Sequence, residues 1–347
     1  MRKGFRKASA LLSALVMSLG TASAVSADVF AAESVGDRDV VDAFEEEQVT
    51  GDCTWTLDNG VLTVSGNGAM ADYDWDEPAP WASEDVRKIV IEQGVTVIGS
   101  HAFYCCFNDE IIVADSVVEI RDYAFAFTNI TKIDLPQSVT SMGENAFCYC
   151  TKLERITVPG KVSSMGSAAF VDCTGLKYAA FLEGVKEIPS RTFYGCKSLK
   201  NVTIPDGVES IGPSAFYGCT AMNKITVPES IRTIGETAIG YFQSSERWNE
   251  KLDGMTIYGQ KGSAAESYAD ENGFAFVSTD DAQIGDVNFD GIISVADVTA
   301  IQKHIAELDT FTDAQLDPAD TNGDGEVNIN DATQIQKYIA ELIDHLG

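Results

Sequence analysis

Histidine and basic side chains are scarce in this 347-residue sequence. It has three histidines, and its 24 lysines and arginines stand against 53 aspartates and glutamates, a formal net charge of −29 at pH 7. Such a chain is a poor match for nucleic acid, whose phosphates need Lys and Arg, or for an anionic membrane. Only His101 lies within the repeats described below, which argues against a Ser-His-Asp or Cys-His site there. A glycosidase needs two carboxylates, but no spacing singles out a pair.

Long apolar runs are missing after the first thirty residues, so we expect no membrane insertion. The chain starts with Arg2, Lys3, Arg6 and Lys7, followed by an apolar stretch over residues 8–19 and small residues at 22–27. This order is that of a secretory signal peptide, and the apolar stretch is shorter than the roughly 20 residues that a membrane span needs. We therefore predict a signal peptide at residues 1–27, a secreted, extracellular protein, and an acidic N-terminal linker at residues 28–50.

The middle of the chain repeats itself every 22 to 23 residues. Two of its copies read LERITVPGKVSSMGSAAFVDCTG and LKNVTIPDGVESIGPSAFYGCTA. One aromatic residue marks six successive copies, and an isoleucine takes its place in the next: Phe103, Phe125, Phe147, Phe170, Phe193, Phe216 and Ile239. A fixed period of this length predicts a solenoid, in which each unit buries its apolar face against its neighbours.

Each repeat combines two apolar segments. The pattern I-x-V-P, as at Ile156 and Val158, predicts a short strand with alternate side chains pointing inward, which Pro159 ends. A second apolar pair follows, as in VESIG, and then a short helical turn carries the Ala-Phe pair. Over roughly residues 86–240 the sequence resembles the BspA-type leucine-rich repeats of bacterial surface proteins. We predict a leucine-rich repeat solenoid with a short β-strand plus a helical turn per repeat.

Two segments beside the repeats resemble the caps of such solenoids. Residues 51–85 predict an N-terminal cap with a hairpin that turns at Asp58, Asn59 and Gly60. The segment MTIYGQKGSAAESYADENGFAFV resembles a C-terminal cap. We assign residues 86–278 to the solenoid with its C-terminal cap, here called the repeat array. Residues 279–284 are a linker, and residues 285–347 are the C-terminal segment.

Five cysteines each lie three residues after a marker position: Cys106, Cys150, Cys173, Cys196 and Cys219. One interpretation is a metal or disulfide framework, since an exported chain can oxidise. The interpretation we favour is one small buried residue per repeat, which packs as an apolar side chain. Cys53, Cys105 and Cys148 fall outside this phase and receive no assignment.

Outward positions of the predicted strands carry several basic residues. Lys88, Lys132, Arg155 and Lys224 line one face as a broken basic column, and Tyr178 is the aromatic residue among these outward positions. A solvated surface is the favoured interpretation, with a binding strip as the alternative.

The C-terminal segment contains one twelve-residue loop pattern twice, 34 residues apart. Acidic, amide and hydroxyl side chains alternate along each loop, a glycine takes position 6, and position 7 offers a backbone carbonyl. The predicted metal ligands are Asp286, Asn288, Asp290, Ile292, Ser294 and Asp297 in the first loop, and Asp320, Asn322, Asp324, Glu326, Asn328 and Asp331 in the second. Hard oxygen donors on a flexible loop with this spacing select Ca²⁺, as in EF-hands. We expect two calcium ions.

The loops depart from an EF-hand because Asp replaces Glu at position 12 and no helix is predicted before Asp286. Each repeat is therefore expected to be a loop followed by a single helix. Two apolar stripes at helical spacing predict that the helices pack together: Val298, Ile301, Ile305 and Leu308, matched by Ala332, Ile335, Ile339 and Leu342. So small a bundle folds poorly on its core alone, and calcium is expected to supply part of its folding energy.

The duplicated loop and helix resemble a type I dockerin, a small all-α, calcium-binding domain, over residues 285–343. The resemblance implies binding to a cohesin module of a scaffoldin in a cellulosome, and cell-surface association through that scaffoldin. By the same resemblance, loop positions 10 and 11 and the polar face of each helix would contact cohesin: Val295, Ala296, Gln302, Lys303 and Glu307 in the first copy, and Ile329, Asn330, Gln336, Lys337 and Glu341 in the second. The repeated Gln, Lys and Glu imply binding in two orientations related by a half turn. Positions 10 and 11 lack the Ser-Thr pair common in clostridial dockerins.

These features predict a noncatalytic cellulosome component without catalytic residues. Its dockerin would attach it to a scaffold, and its repeats would present a binding surface to a protein, a cell surface or plant cell-wall polysaccharide. One alternative is a dockerin-borne carbohydrate-active hydrolase in polysaccharide catabolism. The other is a free cell-surface adhesin whose C-terminal segment is merely stabilised by calcium.

Overall fold

A computed structural model describes residues 48–245, 247–280, 283–289 and 291–346, apart from the side chains of residues 313 and 314. The predicted signal peptide at residues 1–27, nearly all of the predicted linker at residues 28–50, and the predicted ligand Asp290 lie outside the described residues.

The strands are short and the helices few. In chain order the strands are β1 (Val49–Thr50), β2 (Cys53–Asp58), β3 (Val61–Gly66), β4 (Gly68–Ala69), β5 (Lys88–Ile91), β6 (Val95–Ile98), β7 (Glu110–Val113), β8 (Glu119–Ile120), β9 (Ser141–Met142), β10 (Arg155–Val158), β11 (Ser164–Met165), β12 (Tyr178–Phe181), β13 (Glu187–Ile188), β14 (Asn201–Thr203), β15 (Ser210–Ile211), β16 (Lys224–Thr226), β17 (Thr233–Ile234), β18 (Tyr241–Phe242), β19 (Glu250–Lys251), β20 (Thr256–Gly259) and β21 (Ala275–Ser278). The helices are α1 (Ala264–Asn272), α2 (Val295–Ile305), α3 (Asp313–Ala319) and α4 (Ile329–Ile339).

Two rows of parallel strands build two sides of the repeat array. Most of the longer strands form the first row, with orders β3-β5-β7, β10-β12-β14 and β16-β20-β21 in three separate sheets. The strands that hold the second apolar pair, which have two residues each except for the four-residue β6, form the second row, with orders β11-β9-β8-β6-β4 and β13-β15-β17. Side chains alternate between buried and outward positions along the first row, so Ile156 and Val158 face the core as predicted.

The first row is interrupted twice. β14 and β16 are not paired with each other, and at the other interruption one repeat forms no strand. Residues 131–135 adopt no strand, so β7 and β10 are not paired although one repeat lies between them. Ile133 and Leu135 of this repeat are nevertheless buried at the positions that the apolar pattern predicts. The core therefore continues through the gap, and only the backbone ladder is interrupted.

The marker aromatics form a continuous stack inside the array. Neighbouring rings from Phe103 to Phe216 lie 5.1–5.5 Å apart between centroids and are inclined by 10–16°. All six rings are fully buried. Each repeat thus contributes one ring to a column along the array axis, and the predicted solenoid periodicity is confirmed.

The third side of the array is built differently from the prediction. The segments that carry the Ala-Phe pair are hydrogen-bonded turns, not helical turns. Residues two before each marker position adopt a left-handed backbone, although none is glycine: His101, Tyr123, Asn145, Ala168, Arg191, Ser214 and Thr237. Alternating handedness points every second N–H group at the next repeat, as when Phe125 N donates to Ala146 O at 2.8 Å and Phe127 N to Cys148 O at 2.8 Å. A helix would have satisfied these groups within its own turn.

Both ends of the array are covered. The antiparallel β2–β3 hairpin turns at Asn59 and Gly60, both with positive φ, as the sequence predicts. The Trp81 ring is fully buried, stacks on Phe103 at 5.9 Å and donates a hydrogen bond to Ala102 O. At the other end α1 packs against β20 and β21, and Tyr268 exchanges hydrogen bonds with the Ile239 backbone.

The C-terminal segment contains three helices and no strand among its described residues. α2 and α4 pack against each other around Val298, Ile301, Ala332 and Ile335. The prediction of a loop followed by a single helix holds for the second repeat and is wrong for the first, in which α3 follows α2 and leads into the second loop. The outer halves of both predicted stripes are exposed instead of packed, at Ile305, Leu308, Ile339 and Leu342. The two 11-residue helices are too short to pack along their whole length. None of the helices formed by the described residues has the length and apolarity needed to cross a membrane.

Candidate metal loops and docking faces

The first loop is organised around the side chain of Asp297. Its Oδ1 accepts hydrogen bonds from the N–H groups of Val287 and Asn288 at 2.9 and 3.1 Å, and its Oδ2 accepts one from Ser294 N at 2.8 Å. Ser294 is the N-cap of α2, and Asp297 completes a capping box with it. Loop position 12 therefore serves as a helix cap and as the anchor of the loop start. Asp286 Oδ2 also accepts a hydrogen bond from Gly291 N at 2.9 Å.

The second loop repeats this arrangement around Asp331. Its Oδ1 accepts from Thr321 N and Asn322 N at 2.9 and 3.3 Å, and its Oδ2 accepts from Asn328 N at 2.8 Å. Asn328 is the N-cap of α4 and forms the same capping box. Asp320 accepts hydrogen bonds from the backbone of residues 324 and 325. The structure thus brings the two ends of each loop together in the same way.

Several properties of these loops fit a hard cation. Position 6 needs a sharp turn, and Gly291 and Gly325 have φ values of 81° and 84° there. Asp297 and Asp331 are fully buried and form none of the ion pairs found among the described residues. A buried carboxylate without a basic partner is costly, and backbone N–H groups offset that cost only in part. The predicted donors are all oxygens, which Ca²⁺ prefers.

The loop side chains are engaged with their own backbone. Among the described residues, no three histidine, cysteine, aspartate or glutamate side chains already converge as a metal cluster. In the second loop, Asn322 Oδ1 and Asp324 Oδ1 accept hydrogen bonds from N–H groups two residues later. An oxygen that accepts one hydrogen bond keeps a second lone pair, so these contacts are compatible with binding an ion.

The residues that the dockerin resemblance assigns to partner contact lie on the surface. Gln302, Lys303 and Glu307 are exposed beside α2, and so are Gln336, Lys337 and Glu341 beside α4. Position 10 is exposed in both copies, 65% at Val295 and 56% at Ile329. We call the first set with Val295 and Ala296 the first face, and the second set with Ile329 and Asn330 the second face.

Apolar residues near both faces were assigned to the core by the sequence analysis. Ile305 and Ile339 are 41% and 39% exposed, and Leu308 and Leu342 are 59% and 74% exposed. Helical spacing places them on the stripe, but it does not show where the packed part of the stripe ends. Their recurrence after 34 residues is visible in the sequence, but the buried stripe residues recur in the same way, so it does not distinguish surface from core.

The outward face of the first strand row carries a broken basic column, as predicted. Lys88 pairs with Glu110 at 3.0 Å, and Arg155 lies over the Tyr178 ring at 5.0 Å from its centroid. The gap in the row at residues 131–135 opens a recess of about 580 Å³ beside them. Lys132, Glu154, Arg155 and Tyr178 are among the residues that line it. This volume is in the range of small-ligand pockets.

The cysteines are free thiols, and the column of five is structural. Four of its thiols each donate a hydrogen bond to the carbonyl of the marker residue in the previous repeat. Cys173 Sγ donates to Phe147 O and Cys196 Sγ to Phe170 O, both at 3.1 Å. Burial raises the pKa of the Cys106 thiol to about 12. Thiols in this state are poor nucleophiles and metal ligands. The interpretation as small buried residues agrees with the structure. Of the other three, Cys53 and Cys148 are buried and Cys105 is half-buried.

Comparison with known families assigns both parts of the chain. A family model described as BspA type leucine rich repeat region, in six copies, matches residues 81–199 and 186–251. A family model described as dockerin type I domain matches residues 284–340. The chain joins a BspA-type leucine-rich repeat region to a type I dockerin domain. Both are binding modules without catalytic machinery, and together they indicate a cellulosome-type docking protein with a repeat-based interaction surface at an extracellular or cell-surface location.

Solved structures similar to the leucine-rich repeat region include two bacterial proteins. A leucine-rich repeat protein of T. pallidum (TpLRR) is 26% identical, with a TM-score of 0.40, over 51% of this chain and 91% of that one. One from Bacteroides ovatus ATCC 8483 is 21% identical, with a TM-score of 0.40, over 67% of each chain. No curated protein matches the chain.

Proposed function

We propose that this protein is a secreted, noncatalytic component of a cellulosome-like complex. The type I dockerin domain attaches it to a cohesin module of a scaffoldin, and the repeat array presents a surface to a further ligand. The N-terminal sequence supports secretion, with a signal peptide at residues 1–27 and a linker at residues 28–50. A role in polysaccharide catabolism would come from the hydrolases assembled on the same scaffold.

The observation that carries this proposal is the duplicated and exposed docking surface. The same three residue types, Gln, Lys and Glu, recur at matched positions beside α2 and α4, and all six side chains are exposed. An apolar residue accompanies each set at loop position 10. A polar rim around exposed apolar residues is the usual composition of a protein-binding surface.

Two calcium ions would be held by the two loops. The residues that would hold them are Asp286, Asn288, Asp290, Ile292, Ser294 and Asp297, and Asp320, Asn322, Asp324, Glu326, Asn328 and Asp331. Calcium supplies positive charge to buried carboxylates that have no basic partner. It also fixes the loop starts against the helices, which stabilises the domain and the faces built on it.

Calorimetric titration of the full chain with type I cohesin modules tests the docking function. We expect tight binding in Ca²⁺ and its loss in EDTA, because chelation loosens both loops. Binding that is equally tight in EDTA would contradict the role of calcium. If the chain binds no cohesin in Ca²⁺, the docking function is wrong and a calcium-stabilised adhesin takes its place.

The ligand of the repeat array is the second half of the proposal. The recess at the gap in the first strand row offers a tyrosine ring, two basic and two acidic side chains, a mixture that suits a protein or a polysaccharide. Replacing Lys88, Lys132, Arg155 and Lys224 together by alanine tests whether the basic column contributes. Unchanged binding of cell-surface proteins and plant polysaccharides by that variant would leave the column as a solvated surface.

A further inference from the structure

The dockerin domain lies against the outward face of the first strand row. The guanidinium of Arg155 donates a hydrogen bond to the backbone carbonyl of Glu307 at 3.0 Å. The rings of Tyr258 and Phe289 are 6.1 Å apart. Two small cavities of about 50 and 40 Å³ remain between Asn201 of the array and Thr310 of the dockerin domain. The segment after α2 therefore lies close to β12 and β14, whereas a larger recess of about 400 Å³ is lined by residues of β16 and α3 together.

These contacts involve one side of the dockerin domain only. On the dockerin side, the hydrogen bond, the ring contact and the shared cavities use residues between 288 and 317. Among the described residues none of them uses α4 or the segment that follows it. Glu307 belongs to the first face, whereas its counterpart Glu341 has no such contact with the array.

We infer that the repeat array makes the two docking faces unequal and leaves the second face as the one that receives cohesin. This inference rests on the proposed docking function. The sequence alone predicts two equivalent orientations, because the two faces have the same Gln, Lys and Glu. The array removes that equivalence by occupying the space beside the first face.

The size of a protein interface shows why the first face is obstructed. A standard complex buries about 800 Å² on each partner, equivalent to a disc of about 16 Å radius. A disc centred on the first face reaches well past Glu307, whose carbonyl is 3.0 Å from Arg155. A cohesin seated there would overlap the array unless the array contact broke first. The first-face side chains are nevertheless solvent-exposed, so the obstruction acts on a bulky partner and not on water.

Paired variants of the full chain test this inference by calorimetry with one type I cohesin in Ca²⁺. The first-face variant carries Gln302→Ala and Lys303→Ala, and the second-face variant carries Gln336→Ala and Lys337→Ala. The two remove the same chemical groups from matched positions. We expect the Kd of the second-face variant to exceed that of the first-face variant by at least tenfold. Equal Kd values for the two variants would overturn the inference.

A release variant tests whether the array is the cause. Asn201→Arg places a long side chain where Thr310 lies and alters no dockerin residue, so it should push the domain off the array. In that background the tenfold difference between the two face variants should fall to about twofold or less. Ile112→Arg, at an exposed outward position of β7 away from the contact, is the matched control and should preserve the difference. A difference that persists with Asn201→Arg would also overturn the inference.

The wild-type titration separates this inference from the proposed function. If the wild-type chain binds no cohesin, the docking function fails and the inference falls with it. If the wild-type chain binds and both face variants bind equally, the docking function stands and only the preferred orientation is wrong.

Discussion

Replacing Asp331 by asparagine should destabilise the dockerin domain even without calcium. The carboxylate is fully buried and accepts hydrogen bonds from the N–H groups of Thr321, Asn322 and Asn328. An asparagine can keep its oxygen on the side of Thr321 and Asn322. Its NH₂ group then faces Asn328 N, and two donors oppose each other.

The magnitude follows from these contacts. Leaving one buried N–H group unsatisfied costs about 1–3 kcal/mol, and a hydrogen bond to a neutral acceptor is worth roughly half of one to a carboxylate. The expected loss is therefore about 2–4 kcal/mol in the free energy of unfolding. A core this small rarely supplies more than about 3–5 kcal/mol, so a large fraction of the domain should be unfolded in EDTA.

Thermal unfolding of the full chain, followed by hydrogen exchange of residues 320–340 in EDTA and in Ca²⁺, measures this effect. Asp324→Asn is the matched control, because it removes a proposed calcium ligand whose carboxylate is exposed and accepts only from Glu326 N. Asp324→Asn should reduce the stabilisation of the domain by calcium and leave the hydrogen-exchange rates in EDTA nearly equal to those of the wild type. If Asp331→Asn also leaves exchange in EDTA unchanged, the carboxylate does not anchor the loop and the reasoning is wrong.

Three further predictions concern the array and the inter-helix segment. Phe170→Ala should lower the free energy of unfolding by about 3–5 kcal/mol. This loss should exceed that of Phe216→Ala by about 1 kcal/mol, because Phe170 stacks on two rings and Phe216 on one. Equal urea midpoints for the two variants would argue against a contribution from stacking. Gly212→Ala should lower the urea midpoint, since a Cβ on Gly212 would collide with the Ser190 backbone, and an unchanged midpoint would refute the packing argument. Burial lowers the pKa of His304 despite the opposing charge of Asp309, and the ring must be neutral because its Nδ1 accepts a hydrogen bond from Phe311 N at 3.1 Å. The stability that the neutral His304 ring contributes is therefore complete above the ordinary pKa of 6.5 and falls as the pH drops from there toward the lowered pKa. His304→Tyr, which introduces the residue type of the matched position 338, should reduce the dependence of the free energy of unfolding on pH between about pH 7 and pH 5.5. An unchanged dependence on pH would exclude His304 as its source.

Much of the array could be predicted from the sequence because the repeat period determines which residues stack on one another. One ring or one thiol per repeat must form a column when identical units stack, which places Phe147, Phe170, Cys173 and Cys196 without further information. The glycine at position 6 of each loop equally predicts the sharp turn that Gly291 and Gly325 make, whereas the metal ligands stay a prediction. Local pattern was sufficient in both cases.

The left-handed turns could not be predicted in the same way. Arg191, Tyr123 and Ser214 share no chemical property that favours positive φ, and the conformation is imposed by hydrogen bonds to the next repeat. Pro318 lies inside α3, although proline usually argues against a helix interior. The packing of Thr310 near Asn201 joins residues more than a hundred positions apart, which no local pattern encodes.

The turns also determine how the array would respond to a pulling force. The repeats are joined by backbone hydrogen bonds between neighbours, as expected for a solenoid, in which each unit contacts only the units beside it. A force that pulls the two ends apart therefore acts on the hydrogen bonds between one pair of neighbouring repeats after another, and not on all of them together. The array should lengthen by one repeat at a time and dissipate work at each step. If the proposed docking function holds, an array built in this way would act as an extensible tether between the scaffold and the ligand of the array.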